Sequence, residues 1–212
     1  AFRIARSGRP GPVLIDLPVD VMTAKLENYV YPDEPSLSVR GPATGGPDPS
    51  MLDRLAEAVA GAERPLVLAG GGIIISGAGA ELAAFLEKTS IPAAVTMMGL
   101  GCLPSRHPLN LGMPGMHGEA AANYAITECD LLIGLGTRFD DRVTSVPSLF
   151  APRAKVAHID IDPSELGKIV RADFPITGDV RAVLAALIER TAPRGPNAWN
   201  ERVAGWRKEH VP

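Results

Sequence analysis

Five short apolar runs, separated by segments of helical periodicity, leave residues 50–190 few architectures to choose from. Residues 66–69, 92–96, 131–135, 156–161 and 175–177 read as strands. Apolar residues at helical spacing mark helices near 50–61, 77–88, 118–128, 163–169 and 179–190. Ser50 is the expected cap of the first, with Asp53 as reciprocal acceptor and Gly61 as its stop. In the last, Asp179 caps a stripe of Val180, Val183, Leu184, Leu187 and Ile188. Strands alternating with helices imply right-handed βαβ units and a mostly parallel, doubly wound sheet with helices on both faces. A final helix carrying Trp199, Val203 and Trp206 either packs outside the sheet or belongs to a linker.

The first residues read differently. A helix end at 2–7 is followed by the turn Gly8–Arg9–Pro10–Gly11–Pro12 and an apolar strand over Val13–Leu17, stopped by Pro18. Prolines 32, 35, 42, 47 and 49 then interrupt any hydrophobic period, as in an extended linker. The expected organisation is 1–21 as the tail of a preceding domain, 22–48 as linker, 49–191 as a nucleotide-binding domain and 192–212 as a C-terminal helix and linker. The chain begins with Ala1 and shows no signal-peptide pattern, so it is expected to be cut from a longer protein.

Composition narrows the function classes. The 22 glycines and 20 prolines sit in a chain that is 46% hydrophobic, the balance of a folded protein with many sharp loops. A net charge of −3 argues against a nucleic-acid backbone as partner. No apolar run approaches the roughly 18–20 residues of a membrane span. Two cysteines, with no CxxC and no Cys/His cluster, fit a reducing compartment better than a zinc site or a disulfide scaffold.

In an open parallel sheet, ligands bind beyond the carboxyl ends of the strands. The residues there are Gly70–Gly71–Gly72, then Thr96, Met97 and Met98, then the stretch from Gly136 to Arg142, then Asp160, Ile161 and Asp162, and last Gly178 and Asp179. Glycines, hydroxyls, arginines and acids at one edge suit a ligand with phosphates, a ribose and a flat ring. Each feature has a plainer reading beside the functional one. The triple glycine is not GxGxxG; it serves either a close backbone approach to ligand or a tight strand-to-helix turn. The aperiodic stretch 97–117, with Met97, Met98, Met113 and Met116, either packs against a flat ring or tucks against a neighbouring subunit or domain. His117 reads as a cap or core partner ahead of a catalyst. Arg138, Asp140, Asp141 and Arg142 form either a surface ion-pair cluster or a site in which Arg138 meets phosphate and Arg142 an anionic substrate. Asp160 stands where a ribose hydroxyl would be accepted, and Asp162 is the N-cap of the turn beginning at Pro163. No nucleophile–His–acid set, metal-ligand spacing, P-loop or general acid–base pair accompanies these groups, so the segment reads as a cofactor-binding module.

The strings SGRPGPVLIDLP (7–18), LAGGG (68–72), GMHGE (115–119), GTRFDDRVT (136–144) and HIDIDPSE (158–165) resemble, in this order, the large catalytic subunit of acetolactate synthase (acetohydroxyacid synthase). The resemblance covers essentially the whole chain and points to the central domain of a thiamine-diphosphate-dependent enzyme. It implies a doubly wound, mostly parallel, six-stranded Rossmann-like α/β sheet with helices on both faces. It also implies a transferase that condenses two pyruvates, or pyruvate and 2-oxobutyrate, with release of CO2, toward the branched-chain amino acids isoleucine, valine and leucine.

FAD lies across this domain in the family without net redox. Matching positions imply FAD contacts at Arg9, Gly70, Gly71, Gly72, Thr96, Met97, Gly115, Met116, His117, Gly136, Arg138, Asp140, Val143, Asp160, Ile161, Gly178 and Asp179, with Arg142 facing the second substrate. Thiamine diphosphate, Mg²⁺ and the catalytic glutamate belong to the family's other two domains, so these 212 residues are expected to lack carboligase activity by themselves. The resemblance further implies a cytoplasmic homo-oligomer with a regulatory small subunit. The chain departs from many members at Val19, where they carry a lysine near the substrate channel. Other readings are the middle domain of glyoxylate carboligase or pyruvate oxidase, or a stand-alone flavin- or nucleotide-binding module.

Overall fold

The computed structural model describes residues 1–30 and 46–210 and divides the chain into two units, Ala1–Gly45 and Gly46–Pro212. In the first unit, α1 (Phe2–Arg6) matches the expected helix end, and α2 (Val19–Thr23) follows Pro18. Thr23 Oγ1 closes α2 by donating to the Val19 carbonyl at 2.9 Å. The strand expected over Val13–Leu17 does not form among the described residues: the run has no ladder partner there, and Leu14 is 91% exposed. Residues 31–45 of the expected linker lie outside the described residues.

The second unit is the α/β layer structure. Its elements are α3 (Pro49–Gly61), β1 (Pro65–Ala69), α4 (Gly71–Ser76), α5 (Gly79–Thr89), β2 (Ala93–Val95), α6 (Ala120–Glu128), β3 (Leu131–Leu135), α7 (Asp141–Thr144), β4 (Lys155–Asp160), β5 (Phe174–Thr177), α8 (Val180–Arg190) and α9 (Ala198–Glu209). The strands lie in the order β2-β1-β3-β4-β5, every pair parallel. Both faces of the sheet are covered, which is why the strands show continuous apolar runs and not alternation.

Strand residues still divide by parity. Val67, Ala69, Ile133, Leu135 and Ile159 face one core with α3, α4, α5 and α8. Leu66, Leu68, Leu132 and Val156 face the other with α6 and α9. The α9 helix is therefore part of the domain, not a linker. Asn197 and Asn200 form its capping box, and buried Trp199 donates its indole N–H to the Pro65 carbonyl at 3.0 Å. Both cysteines are buried free thiols, and burial pushes Cys102 up to about 11 and Cys129 up to about 12. Among the described residues no helix is long and apolar enough to cross a membrane.

Five strands form among the described residues, not six. The nearest approach to a sixth runs along β2: Ala93 N–H donates to Leu109 O and Leu111 N–H to Ala93 O, both at 2.8 Å, and Val95 N–H to Gly112 O at 2.9 Å. That pairing amounts to a single bridge, Ala93↔Asn110, because Gly112 turns away in the left-handed region (φ 82°).

Three local expectations also shift. The cap of α3 is Asp48, which accepts the Ser50 N–H at 2.9 Å, because Pro49 takes the first helical position. Asp53 instead pairs with Arg190. The helix expected at 163–169 is one 3₁₀ turn, Pro163–Glu165, capped by Asp162 as the sequence suggested; it ends at Leu166, whose backbone is extended, and Gly167 follows at φ 70°. The helix expected at 77–88 is preceded by a second, α4, broken from α5 at Gly77. Gly and β-branched residues are poor helix formers, and α4 is held by burying Ile73 completely.

Replacing Trp199 by Ala would open a cavity under β1 and leave the Pro65 carbonyl without this donor. Equilibrium urea denaturation is expected to show a loss of about 3–5 kcal/mol. An effect below 1 kcal/mol would mean that α9 is not part of the cooperative unit.

Candidate functional site

All five strands are parallel, so their carboxyl ends form one rim. With neighbouring strands roughly 4.8 Å apart, it runs about 19 Å from β2 to β5. Winding reverses between β1 and β3, the position where open α/β sheets bind ligands. The two loops there leave toward opposite faces: Ile73 enters the core with α5 and α8, and Phe139 the core with α6 and α9.

Between these departures the loops touch through bare backbone. Gly70 N–H donates to Leu135 O at 2.9 Å and Gly72 N–H to Gly136 O at 3.0 Å. A Cβ on Gly72 would lie 2.6 Å from the Gly136 Cα, and one on Gly70 would strike the Gly136 carbonyl. A Cβ on Gly71 would sit 3.1 Å from Met98 Cβ. The tight-turn reading of the triple glycine thus has a complete physical basis inside the protein, independent of any ligand.

The methionine segment divides in two. Leu103, Asn110 and Leu111 are buried along β2, whereas Met97, Met98 and Met116 stand 70%, 74% and 86% exposed at the rim. Thr96 is buried beneath them, its N–H on the Ala69 carbonyl at 2.9 Å. Gly115, at φ 108°, lies against Arg142: a Cβ there would be 2.6 Å from the Arg142 carbonyl. Asn123 of α6 clamps this loop, accepting the Gly115 N–H at 2.8 Å and donating to its carbonyl at 3.0 Å. Sequence reasoning overlooked Asn123; its one signal was an amide in an otherwise alanine-rich helix. His117 neither caps α6 nor enters the core. It is exposed, and Glu119 holds the N-cap position.

The charged groups are ordered along the rim. Arg138 and Arg142 are exposed at the β3 end and make no ion pair among the described residues, so the surface ion-pair cluster does not form. Asp140 instead caps α7, its Oδ1 accepting the Arg142 N–H at 3.2 Å, with Val143 half-buried in that turn. Beyond β4, buried Asp160 accepts the Asp162 N–H at 2.9 Å, next to half-buried Ile161. Beyond β5, Gly178 N–H bonds the Asp160 carbonyl at 2.9 Å, and Asp179 accepts the Arg181 N–H at 2.8 Å as the cap of α8. Arginines thus stand by the switch point, in the same loop as Asp140 and Asp141, and only carboxylates, Asp160 and Asp179, follow beyond β4 and β5. Arg9 belongs to the first unit.

An open groove of about 670 Å³ adjoins the β2 end, lined by Leu100, Asn110, Gly112, Glu119 and Arg207 among others. It shares the methionine segment with the rim, and neither Arg138 nor Arg142 lines it. Among the described residues no group of three or more His, Cys, Asp or Glu could hold a metal ion.

Two buried side chains that the sequence did not single out underlie the arginine loop. Phe139, between Arg138 and Asp140, is 1% exposed and has φ 53°, a left-handed backbone that costs a bulky residue on the order of 1–3 kcal/mol. His158 of β4 meets its ring edge-on, with centroids 4.8 Å apart and planes at 81°. His158 Nε2 bonds the Thr137 carbonyl at 2.8 Å and Nδ1 accepts the Gly167 N–H at 3.3 Å, a pattern that requires the neutral Nε2–H tautomer. Burial holds the His158 pKa below its ordinary value, against the opposing pull of the Thr137 carbonyl, Asp160 and Glu165.

The sequence profile of the thiamine pyrophosphate enzyme central domain matches residues 52–187. The chain is 50% identical to a probable acetolactate synthase large subunit of Methanocaldococcus jannaschii, over 100% of this chain and 36% of that protein. It is 45% identical to the acetolactate synthase large subunit of Corynebacterium glutamicum, over 97% of this chain and 32% of the relative. It is also 45% identical to that of Lactococcus lactis, over 100% and 36%. The chain spans about a third of the length of the curated relatives it matches.

Because folded His158 resists protonation, the unfolded chain binds more protons once the pH falls below its ordinary value of about 6.5. This contribution to stability is fully present above pH 6.5 and is lost as pH falls through the lowered folded value. Thermal denaturation between pH 8 and 5 is expected to show that loss, and a His158→Gln variant a flatter profile. Equal slopes in the two proteins would remove His158 as the cause.

Proposed function

The chain belongs to the thiamine pyrophosphate enzyme central-domain family, and on that premise we propose that its strand-end rim binds FAD as the central domain of an acetolactate synthase large subunit. The observation that carries this reading is the pair of exposed arginines, Arg138 and Arg142, without carboxylate partners among the described residues beside the switch point. Guanidinium groups suit phosphate and carboxylate alike. Arg138 is assigned to the diphosphate and Asp160 to ribose hydroxyls farther along the rim, while Met97 and Met116 offer polarizable apolar cover to a flat ring. Arginines at the β3 end with Asp160 and Asp179 farther along suit an extended dinucleotide laid along the strand ends.

The donor set fits FAD without a metal. In this reading FAD supplies no net redox chemistry and serves as a brace between structural elements. Thiamine diphosphate and its Mg²⁺ are assigned to other domains of the longer protein, where pyruvate would lose CO2 before joining a second pyruvate or 2-oxobutyrate. The products are 2-acetolactate and 2-aceto-2-hydroxybutyrate. Arg142 is assigned to the carboxylate of the second 2-keto acid. The relatives' designation as large subunits supports a smaller regulatory partner, and homo-oligomerisation and a cytoplasmic location complete the proposal.

FAD titration followed by flavin fluorescence tests the reading. Arg138→Ala is expected to weaken binding about 10- to 150-fold, the range for a lost charge-assisted hydrogen bond, while stability changes by less than about 0.5 kcal/mol. In the full-length enzyme, Arg142→Ala should raise the KM for the second 2-keto acid and leave FAD affinity within twofold. Failure of the unmodified protein to bind FAD would overturn the assignment.

A further inference from the structure

The loop that presents Arg138 and Asp140 has a buried support on its inner side. Phe139 lies between exposed Arg138 and half-buried Asp140, and its own side chain turns into the core formed with α6 and α9. A left-handed backbone at a phenylalanine persists only where the surroundings over-determine it. Here they do so from three sides. Gly134 of β3 supplies an empty site opposite His158: a Cβ there would come within 2.5 Å of the Phe139 Cζ and 3.1 Å of the Thr137 Cγ2. His158 presents its ring to that of Phe139, and Phe150 contacts it edge-on at 5.9 Å between centroids. His158 also bonds the Thr137 carbonyl in the β3 loop and the Gly167 N–H beyond β4, so one side chain ties together the loops that carry the rim's cationic and acidic groups.

We infer that Phe139, seated over Gly134 and against His158, is a positioning residue that holds Arg138 and Asp140 in their ligand-binding arrangement. The side chain never reaches the rim. It acts by fixing the backbone between two residues that do, and its own unfavourable φ ensures that an unseated loop relaxes to another geometry. The inference rests on the assignment of the rim to FAD, and the experiment below separates the two.

Gly134→Ala displaces the ring without altering any group exposed at the rim, and Phe139→Leu keeps an apolar side chain but loses the edge contact. Leu86→Ala, in the opposite core, serves as a control for lost stability alone. Two quantities are measured under conditions where each variant is fully folded: FAD affinity, and amide hydrogen exchange without ligand at Val143, Thr144 and Ser145, whose N–H groups bond the carbonyls of Asp140 and Asp141. Both plug variants are expected to bind FAD at least tenfold more weakly. Their α7 amides should exchange at least tenfold faster relative to the β1 amide of Val67. Leu86→Ala should leave affinity and that exchange ratio within twofold.

Exchange that rises only in step with Val67, or a loosened loop with unchanged FAD affinity, would overturn the inference. If the unmodified protein binds no FAD, the cofactor assignment falls, and the exchange ratios alone decide: selective loosening of α7 upholds the plug, and uniform loosening removes it.

Discussion

The backbone contact between Gly70–Gly72 and Gly136 is the constraint on which the rest of the rim depends. Two hydrogen bonds join these loops, and a side-chain carbon at Gly70 or Gly72 would meet the other loop's main chain. The contact lies where the sheet order reverses, so one loop continues into the core of α5 and α8 and the other into the core of α6 and α9. A doubly wound sheet would otherwise open between β1 and β3. Glycine backbone closes that gap and becomes a shallow floor, with side chains rising only on either side of it.

Three carboxylates along the rim are tied first to their own chain. Asp140, Asp160 and Asp179 each accept a backbone N–H two residues onward, so each carboxylate shapes the turn that presents it. The arginines have no such role and stand free of ion pairs among the described residues. Surface ion pairs elsewhere, such as Arg181–Glu81 and Arg190–Asp53, show that the fold uses arginine for helix-to-helix contacts when a carboxylate is within reach. The different treatment of Arg138 and Arg142 is the electrostatic signature of the β3 end.

The interior supports the rim in a similarly asymmetric way. On the face toward α3, α5 and α8, the core is mostly Leu, Ile, Val and Ala, with Phe85 and Phe174. On the other face the β3–β4 pair breaks the aliphatic pattern with Gly134 and His158, and the room left by the glycine is taken by Phe139. A neutral histidine with both ring nitrogens engaged is stable there because each polar atom has a partner. This buried histidine sits where two strand-end loops are held in register.

Much of the layer structure was legible from residues 50–190. The five strands, to within a residue or two at each end, and the caps Asp162 and Asp179 follow from local spacing. What local spacing does not contain is distance between loops. It could not show that Gly71 and Gly72 open a helix, that residues 163–169 stop after one turn, or that 109–112 pair with β2 through a single bridge. Nor could it distinguish arginines in an ion-pair cluster from arginines standing free, or reveal that the phenylalanine of Arg138–Phe139–Asp140 turns inward. By itself the sequence determined which residues face a core and where each strand ends, because side-chain periodicity and turn residues act over a few positions. Only the tertiary structure decided strand order, the glycine contact and the aim of the rim residues, because these depend on segments far apart in the chain excluding one another from the same space.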